Sequence, residues 1–266
     1  MDSVDSNGSA EHVVRAAVYL DLDGTDNRAA RVGRTWFGQW LALAAPLAEV
    51  VAQGGDGAML HMADEESPIA AATYTADGWR ALLDRLDEDP HSLAIDLDSD
   101  GPDERLLFRS LNMRRKVWST STRRYAALTF EGRMGQCIDV AEASDRIFAG
   151  FLAACGESDP VYGDVSLDGE PVGPWTMLDH ALGRSWEESL DEARERLRGH
   201  EWVTVCPGEL VSTMGGVESL NGSGAFTSVT ELPSGAVVAR TTDSATGHGR
   251  DVARRAAEAL AKILPG

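Results

Sequence analysis

Polar and apolar side chains alternate residue by residue through several short stretches of this chain, and a period of two commits those stretches to β-structure. Between Val13 and Asp23, the side chains of Val18, Leu20 and Leu22 fall on one side and those of Tyr19, Asp21 and Asp23 on the other. Ser92 to Asp98 repeats the pattern, opposing Leu93, Ile95 and Leu97 to Ala94, Asp96 and Asp98, and Tyr125 to Glu131 does so with Ala126, Leu128 and Phe130. Central strands of a doubly wound parallel sheet are apolar on both faces, so this alternation predicts antiparallel sheet wetted on one side.

Helical stripes separate these stretches. Trp36, Trp40, Leu43, Leu47 and Val50 mark a helix within Arg28 to Ala52 that Gly54, Gly55 and Gly57 end. Asp77 to Asp89 reads as an amphipathic helix closed by Pro90, and Ile147, Phe148, Phe151, Leu152 and Cys155 define a helix over Asp139 to Cys155. Trp186, Leu190, Ala193 and Leu197 give a third narrow stripe, a helix begins at Pro207 and stops at Gly215-Gly216, and Val252 to Leu264 forms the last helix. Shorter strands are predicted at Gly57 to Ala63, Ile69 to Thr75, Val161 to Leu167 and Trp202 to Cys206. Two hairpins are predicted as well: Arg105 to Leu111 returning after a Ser99 to Asp103 turn, and Phe226 to Leu232 with Ala236 to Thr241. The expected fold is α+β, with largely antiparallel sheets each covered by helices on one face. Strand, long helix, strand occurs twice, which leaves open a duplicated β-α-β unit. Residues 1–12 read as a tail, 13–90 as an N-terminal α/β lobe and 91–266 as a C-terminal α+β lobe, either separate or forming one continuous domain.

The 266 residues include 24 Lys plus Arg against 43 Asp plus Glu, a formal charge of −19. A surface that negative repels phosphate backbones and anionic lipid, so nucleic acid and membrane are not expected as partners, and a basic partner is favoured. Cys137, Cys155 and Cys206 show no metal-binding or paired spacing, which suits a reducing compartment. The first dozen residues lack the basic start and apolar run of an export signal, and a cytoplasmic location is the expectation.

Three motifs invite a chemical reading. Tyr19-Leu-Asp-Leu-Asp-Gly-Thr25 resembles the Asp-x-Asp-Gly-Thr loop of haloacid-dehalogenase-like phosphatases, magnesium-dependent enzymes in which Asp21 would be nucleophile and Asp23 general acid. Thr75, Lys116 and Gly163-Asp164 with Asp168 could complete that set, but the spacing between Lys116 and Gly163 holds a strand and a long helix where that family needs one short helix and one buried strand. Asp26 also stands where an apolar residue is usual, and both acids fall on the wet face. Asp96-x-Asp98-x-Asp100-Gly101 copies half of a calcium loop, yet its twelfth position is Leu107 and its eighth Asp103, so a solvated turn accounts for it. The six histidines (12, 61, 91, 180, 200 and 248) and the serines form no nucleophile elbow or zinc-protease motif. No catalytic residue, metal site or cofactor is therefore assigned, with the phosphatase kept as the alternative.

The segment Glu201-Trp-Val-Thr-Val-Cys-Pro-Gly-Glu-Leu-Val-Ser-Thr-Met-Gly-Gly-Val-Glu-Ser-Leu220, continued by Gly224 to Thr242, resembles the end of immunity proteins from bacterial polymorphic toxin systems, including those associated with type VI secretion. In these a strand leads to a Pro-Glu-Leu helix ending in Gly-Gly and then to a hairpin. The resemblance covers about the last 140 residues counted on the sequence, and Cys206 and Gly208 depart from it. It implies a non-enzymatic cytoplasmic protein that binds and neutralises a cognate toxin. Acidic surface could plug a basic toxin cleft with fast association. On that reading the contacting residues are Asp21, Asp23, Asp96, Asp98, Asp100, Asp103 and Glu104, with Asp64-Glu65-Glu66 and the acids at 84, 87, 88 and 89 as further patches.

Overall fold

Every alternating stretch becomes a strand, and the strands join edge to edge. The computed structural model describes residues 12–23, 28–44, 47–49, 58–64, 67–73, 75–85, 92–98, 107–134, 139–168 and 175–265. Ten strands run β1 (Val13–Asp21), β2 (Ala58–Asp64), β3 (Ser67–Thr73), β4 (Ser92–Asp98), β5 (Phe108–Ser119), β6 (Arg124–Met134), β7 (Pro160–Leu167), β8 (Val203–Cys206), β9 (Ser228–Glu231) and β10 (Val237–Arg240). They form one sheet in the order β3-β2-β4-β5-β6-β1-β7-β8-β10-β9, and every neighbouring pair is antiparallel. The α+β, antiparallel expectation thus holds in a single sheet rather than several.

Helices are α1 (Arg28–Leu43), α2 (Ala76–Arg85), α3 (Val140–Cys155), α4 (Met177–Leu182), α5 (Trp186–Asp191), α6 (Gly208–Thr213), α7 (Val217–Gly222) and α8 (Arg250–Leu260). Two long crossovers set the topology: α1 carries the chain from β1 past three strands to β2, and α3 carries it from β6 past β1 to β7. Asp139 starts α3 by accepting the Ala141 N–H at 2.8 Å, the capping its sequence position foretells.

α1 and α3 press the same face of the sheet. Trp36, Phe37 and Trp40 of α1 and Ile147, Phe151 and Cys155 of α3 meet Val14, Ala16, Val18 and Leu20 of β1, the Leu93, Ile95 and Leu97 side of β4, and Ala126, Leu128 and Phe130 of β6. Trp40 stacks on Phe130 with ring centroids 4.0 Å apart. Gly132 follows on the same face of β6, where a Cβ would lie 2.6 Å from the rings of Phe108 and Phe130. These rings bury enough apolar area to make this the dominant core.

Among the described residues the opposite face is covered toward the β7 to β9 end. There α5 to α8 place Leu190, Leu210, Val211, Leu220 and Leu260 over Tyr19, Tyr125, Tyr162, Val237 and Ala239. The positive φ of Gly215 (91°) and Gly216 (88°) turns the chain between α6 and α7, as the paired glycines predict. Over β4, β5 and β6 the same face carries Asp96, Asn112, Arg114, Lys116, Thr129 and Glu131, none of them buried.

Two expectations need correction. The return strand predicted at Arg105 to Leu111 is β5, which starts at Phe108 and runs on to Ser119, with Arg114 and Lys116 on the open face and Arg115 buried on the other. The helix predicted to reach Leu197 stops at Asp191, and Ala193 and Leu197 enter the core from the turns that follow.

Candidate functional site

Where the covered part of this face meets the open part, a step is left, and the step is a groove of about 510 Å³. Its floor is sheet: Arg15, Ala17 and Tyr19 from β1, Asn112, Arg114, Lys116 and Trp118 from β5, Thr129 and Glu131 from β6, and Tyr162, Asp164 and Ser166 from β7. Its wall is Trp175, Thr176 and Met177 at the start of α4, with Glu201. Period-two geometry requires that all of these floor residues share one face.

The wall is fastened from beneath by buried polar contacts. Thr176 and Asp179 form a reciprocal capping box at the N-terminus of α4. The Thr176 hydroxyl also donates to the Arg198 carbonyl at 2.6 Å. Arg198 is fully buried; its Nη2 donates to Asp179 Oδ2 at 3.1 Å and its Nε to Ser189 Oγ at 3.0 Å. The guanidinium carbon lies 5.0 Å from the ring centre of Tyr19 and 5.5 Å from that of Tyr162, so one cation ties the wall to two floor tyrosines. Gly199 next to it has no room for a Cβ, which would come within 2.9 Å of the Tyr162 hydroxyl.

Charge is divided along the groove. On the outer side Arg15 Nε pairs with Glu131 at 2.9 Å, Asn112 donates to Asp96, and Arg114 Nε donates to Asn112 Oδ1 at 2.7 Å. Lys116 Nζ sits 3.9 Å over the Trp118 ring, and Trp118 meets Trp186 edge to face. On the inner side are two carboxyl groups. Asp164 accepts the Tyr162 hydroxyl at 2.7 Å. Burial pushes its pKa up to about 6, against the opposing pull of Tyr162 and Arg198. Glu201 rises further, to about 7, through burial and then the charge of Asp164. Burial, reinforced by the Asp164 and Glu201 charges, holds the Tyr162 hydroxyl well above its ordinary value, and Tyr19 is also raised by burial. Burial in the cleft thus disfavours the ionised form of both acids.

Apolar exposure gathers at the same wall. Trp175, Met177 and Leu182 are the large hydrophobic side chains that stand exposed among the described residues, at 38%, 52% and 41%, and all three belong to α4 or its lead-in.

The acids singled out in the sequence are spread apart. Asp21 Oδ2 accepts from Arg123 Nη1 at 2.7 Å and its other oxygen takes the Asp23 N–H at 2.9 Å. Asp23 accepts the Arg124 N–H at 2.9 Å. Both fasten the end of β1 to the β5–β6 turn. Asp96 borders the groove through Asn112, and Asp98 is exposed at the far end of β4. Asp100, Asp103 and Glu104 lie outside the described residues. The phosphatase set is not brought together: the strands flanking β1 are both antiparallel to it, and Asp164 stands opposite Ala17, four residues from Asp21, about 13 Å along a strand. Thr75 caps α2 by accepting the Gly78 N–H, and Asp168 binds His12 and the Val13 N–H at the other end of β1. No three His, Cys, Asp or Glu side chains are grouped to hold a metal among the described residues. No described helix is long and apolar enough to cross a membrane. Cys155 and Cys206 are buried free thiols.

Sequence reasoning missed Arg15, Arg114, Lys116, Trp118, Trp175, Met177 and Glu201 as a group. The available signal was the alternation Asn112, Arg114, Lys116, Trp118, a polar row one residue out of step with Leu111, Met113 and Val117.

No protein-family model matches the chain, and no curated protein does. Among solved structures it is similar to the Pseudomonas aeruginosa T6SS protein PA0821, with a TM-score of 0.58 and 14% identity over 95% of this chain and 73% of that one. The α+β fold is therefore similar to that of this T6SS protein.

Proposed function

We propose that the chain is a non-enzymatic immunity protein that binds and neutralises a cognate bacterial toxin in the cytoplasm, using the groove on its open sheet face. The observation that carries this reading is the wall at α4: exposed Trp175 and Met177 stand over a polar sheet that other described elements leave uncovered. Aromatic and methionine side chains beside a concave polar floor are what protein interfaces are enriched in. The −19 charge favours a basic partner and speeds its approach. The fold shared with a T6SS protein and the likeness of residues 201–242 to immunity proteins point to the same role. Of the acids read from the sequence, Asp96 borders this surface through Asn112, Asp98 is exposed at the far end of β4, and Asp21 and Asp23 are engaged in holding the β5–β6 turn.

The test is protection. Co-expressed with a toxin domain taken from a neighbouring reading frame, the chain is expected to restore growth and to co-purify with that domain. Trp175→Asp combined with Lys116→Glu is expected to abolish both while leaving the thermal melt unchanged. Failure of the unaltered chain to protect, or undiminished protection by the double variant, refutes the reading.

A further inference from the structure

The groove has an unmet demand at its inner end. The Glu201 carboxylate makes no hydrogen bond or ion pair with any described residue, although its backbone N–H is held by Thr204 Oγ1 at 3.0 Å. Asp164 beside it has one neutral donor, the Tyr162 hydroxyl. The buried cation Arg198 lies over the Tyr19 and Tyr162 rings and bonds to Asp179 and Ser189, so its charge only partly offsets the burial of Asp164. Half-buried carboxylates of this kind ask for a cation from outside.

The wall above them has a complementary shape. Trp175 and Met177 offer exposed apolar surface at the inner end, and a lysine or arginine buries its methylene stem on such surface while its head reaches an acid. At the outer end Arg114 and Lys116 are exposed and have no ion pair among the described residues. That positive margin opposes a uniformly basic segment and favours one whose positive charge lies only at the inner end.

Resting on the binding role proposed above, we propose that the groove takes a protein segment carrying one lysine or arginine next to an apolar residue, with the cationic head between Asp164 and Glu201 and the stem along Trp175 and Met177. The partner is thus recognised by a single inserted basic side chain, and the outer cations set the direction in which the segment lies.

The probe is a blocked pentapeptide, acetyl-Gly-Leu-Lys-Leu-Gly-amide, against counterparts with norleucine or glutamate at the centre, titrated into the full chain and followed by NMR. The lysine peptide is expected to shift the Trp175 indole, the Met177 methyl and the Glu201 carboxyl carbon, and to bind about tenfold more tightly than the norleucine peptide. Glu201→Gln and Asp164→Asn are each expected to remove about that tenfold preference while the far-ultraviolet circular dichroism stays unchanged. Equal binding of lysine and norleucine peptides, preference for glutamate, shifts away from the groove, or no binding of the lysine peptide overturns the proposal. Protection against the toxin without lysine preference overturns this inference alone; lysine preference without protection overturns the immunity reading alone.

Discussion

Asp164 offers the sharpest test of the electrostatics, because a carboxylate kept in the groove at a cost should release that cost when it is replaced. Its pKa is raised from 3.8 to about 6, and at about 1.4 kcal/mol per tenfold in proton affinity the penalty on the charged form is about 3 kcal/mol. The groove mouth admits water, which screens part of this, so about 2 kcal/mol is the working figure. The sign follows from linkage. Below the unfolded value near 3.8 both states are protonated and no penalty exists. As pH rises through about 6 the folded protein must ionise an acid that burial disfavours, and stability is lost across that window. Glu201, raised from 4.5 to about 7, extends the loss upward. Asp164→Asn keeps an acceptor for the Tyr162 hydroxyl and removes the charge that helps raise Glu201. Urea unfolding followed by tryptophan fluorescence should find the variant indistinguishable from the parent near the acid end and about 2 kcal/mol more stable at about pH 8. A difference that is flat across pH, or a variant less stable at the alkaline end, would refute the claim that this carboxylate is held against its own preference.

Other substitutions probe the frame beneath the groove. Arg198→Met leaves Asp179 buried without its cation and should cost about 3 kcal/mol by urea titration. Gly163→Ala drives a Cβ to 2.9 Å from both the Ala17 carbonyl oxygen and Val205 Cγ2, and a loss of about 2 kcal/mol in the same assay is expected. Asp191 accepts from the Thr120, Thr122 and Tyr125 hydroxyls, so Asp191→Ala should lower stability by about 2 kcal/mol and speed amide exchange in the β5–β6 turn. His200 and His248 are lowered by burial, with the charge of His200 adding to the effect on His248. Their unfolded forms take up protons first, so stability should fall as pH drops through about 6.5, and His200→Asn should flatten that acid limb in a melting series.

The elements with one wet and one dry face were legible because their period is imposed by burial. Leu93, Ile95 and Leu97 bury in the core that α1 also lines and place β4 at Ser92–Asp98, the span the alternation predicts. The stripe of α3 likewise reports its packing, since Ile147, Phe151 and Cys155 are all in the core. Long-range order was less legible. Nothing local says that β1 lies between β6 and β7, because that placement is decided by which apolar faces α1 and α3 can cover together. β5 was cut short for a related reason: Arg115 is fully buried on the helical face, so the run Arg114-Arg115-Lys116 breaks the polar and apolar alternation just where the strand continues.

The groove was hidden because its parts lie far apart in the chain and each has an ordinary local reading. Glu201 precedes a strand, Trp175 precedes a helix and Lys116 belongs to a charged run, and only the sheet order brings them to one face. The conspicuous acids misled for the opposite reason. Asp21 and Asp23 look like a motif because they are close in sequence, yet they are close so that one turn can be held by two carboxylates, each of which meets an arginine within 4 Å in the β5–β6 hairpin. Acids that already have cations have no reason to seek them in a partner. Glu201 has no such cation among the described residues and Arg198 only partly offsets the burial of Asp164, so a positive charge brought into the groove lowers the electrostatic cost of keeping both ionised. Recognition is therefore expected where the chain is electrostatically unsatisfied, at the inner end of the groove, and not where its negative charge is densest.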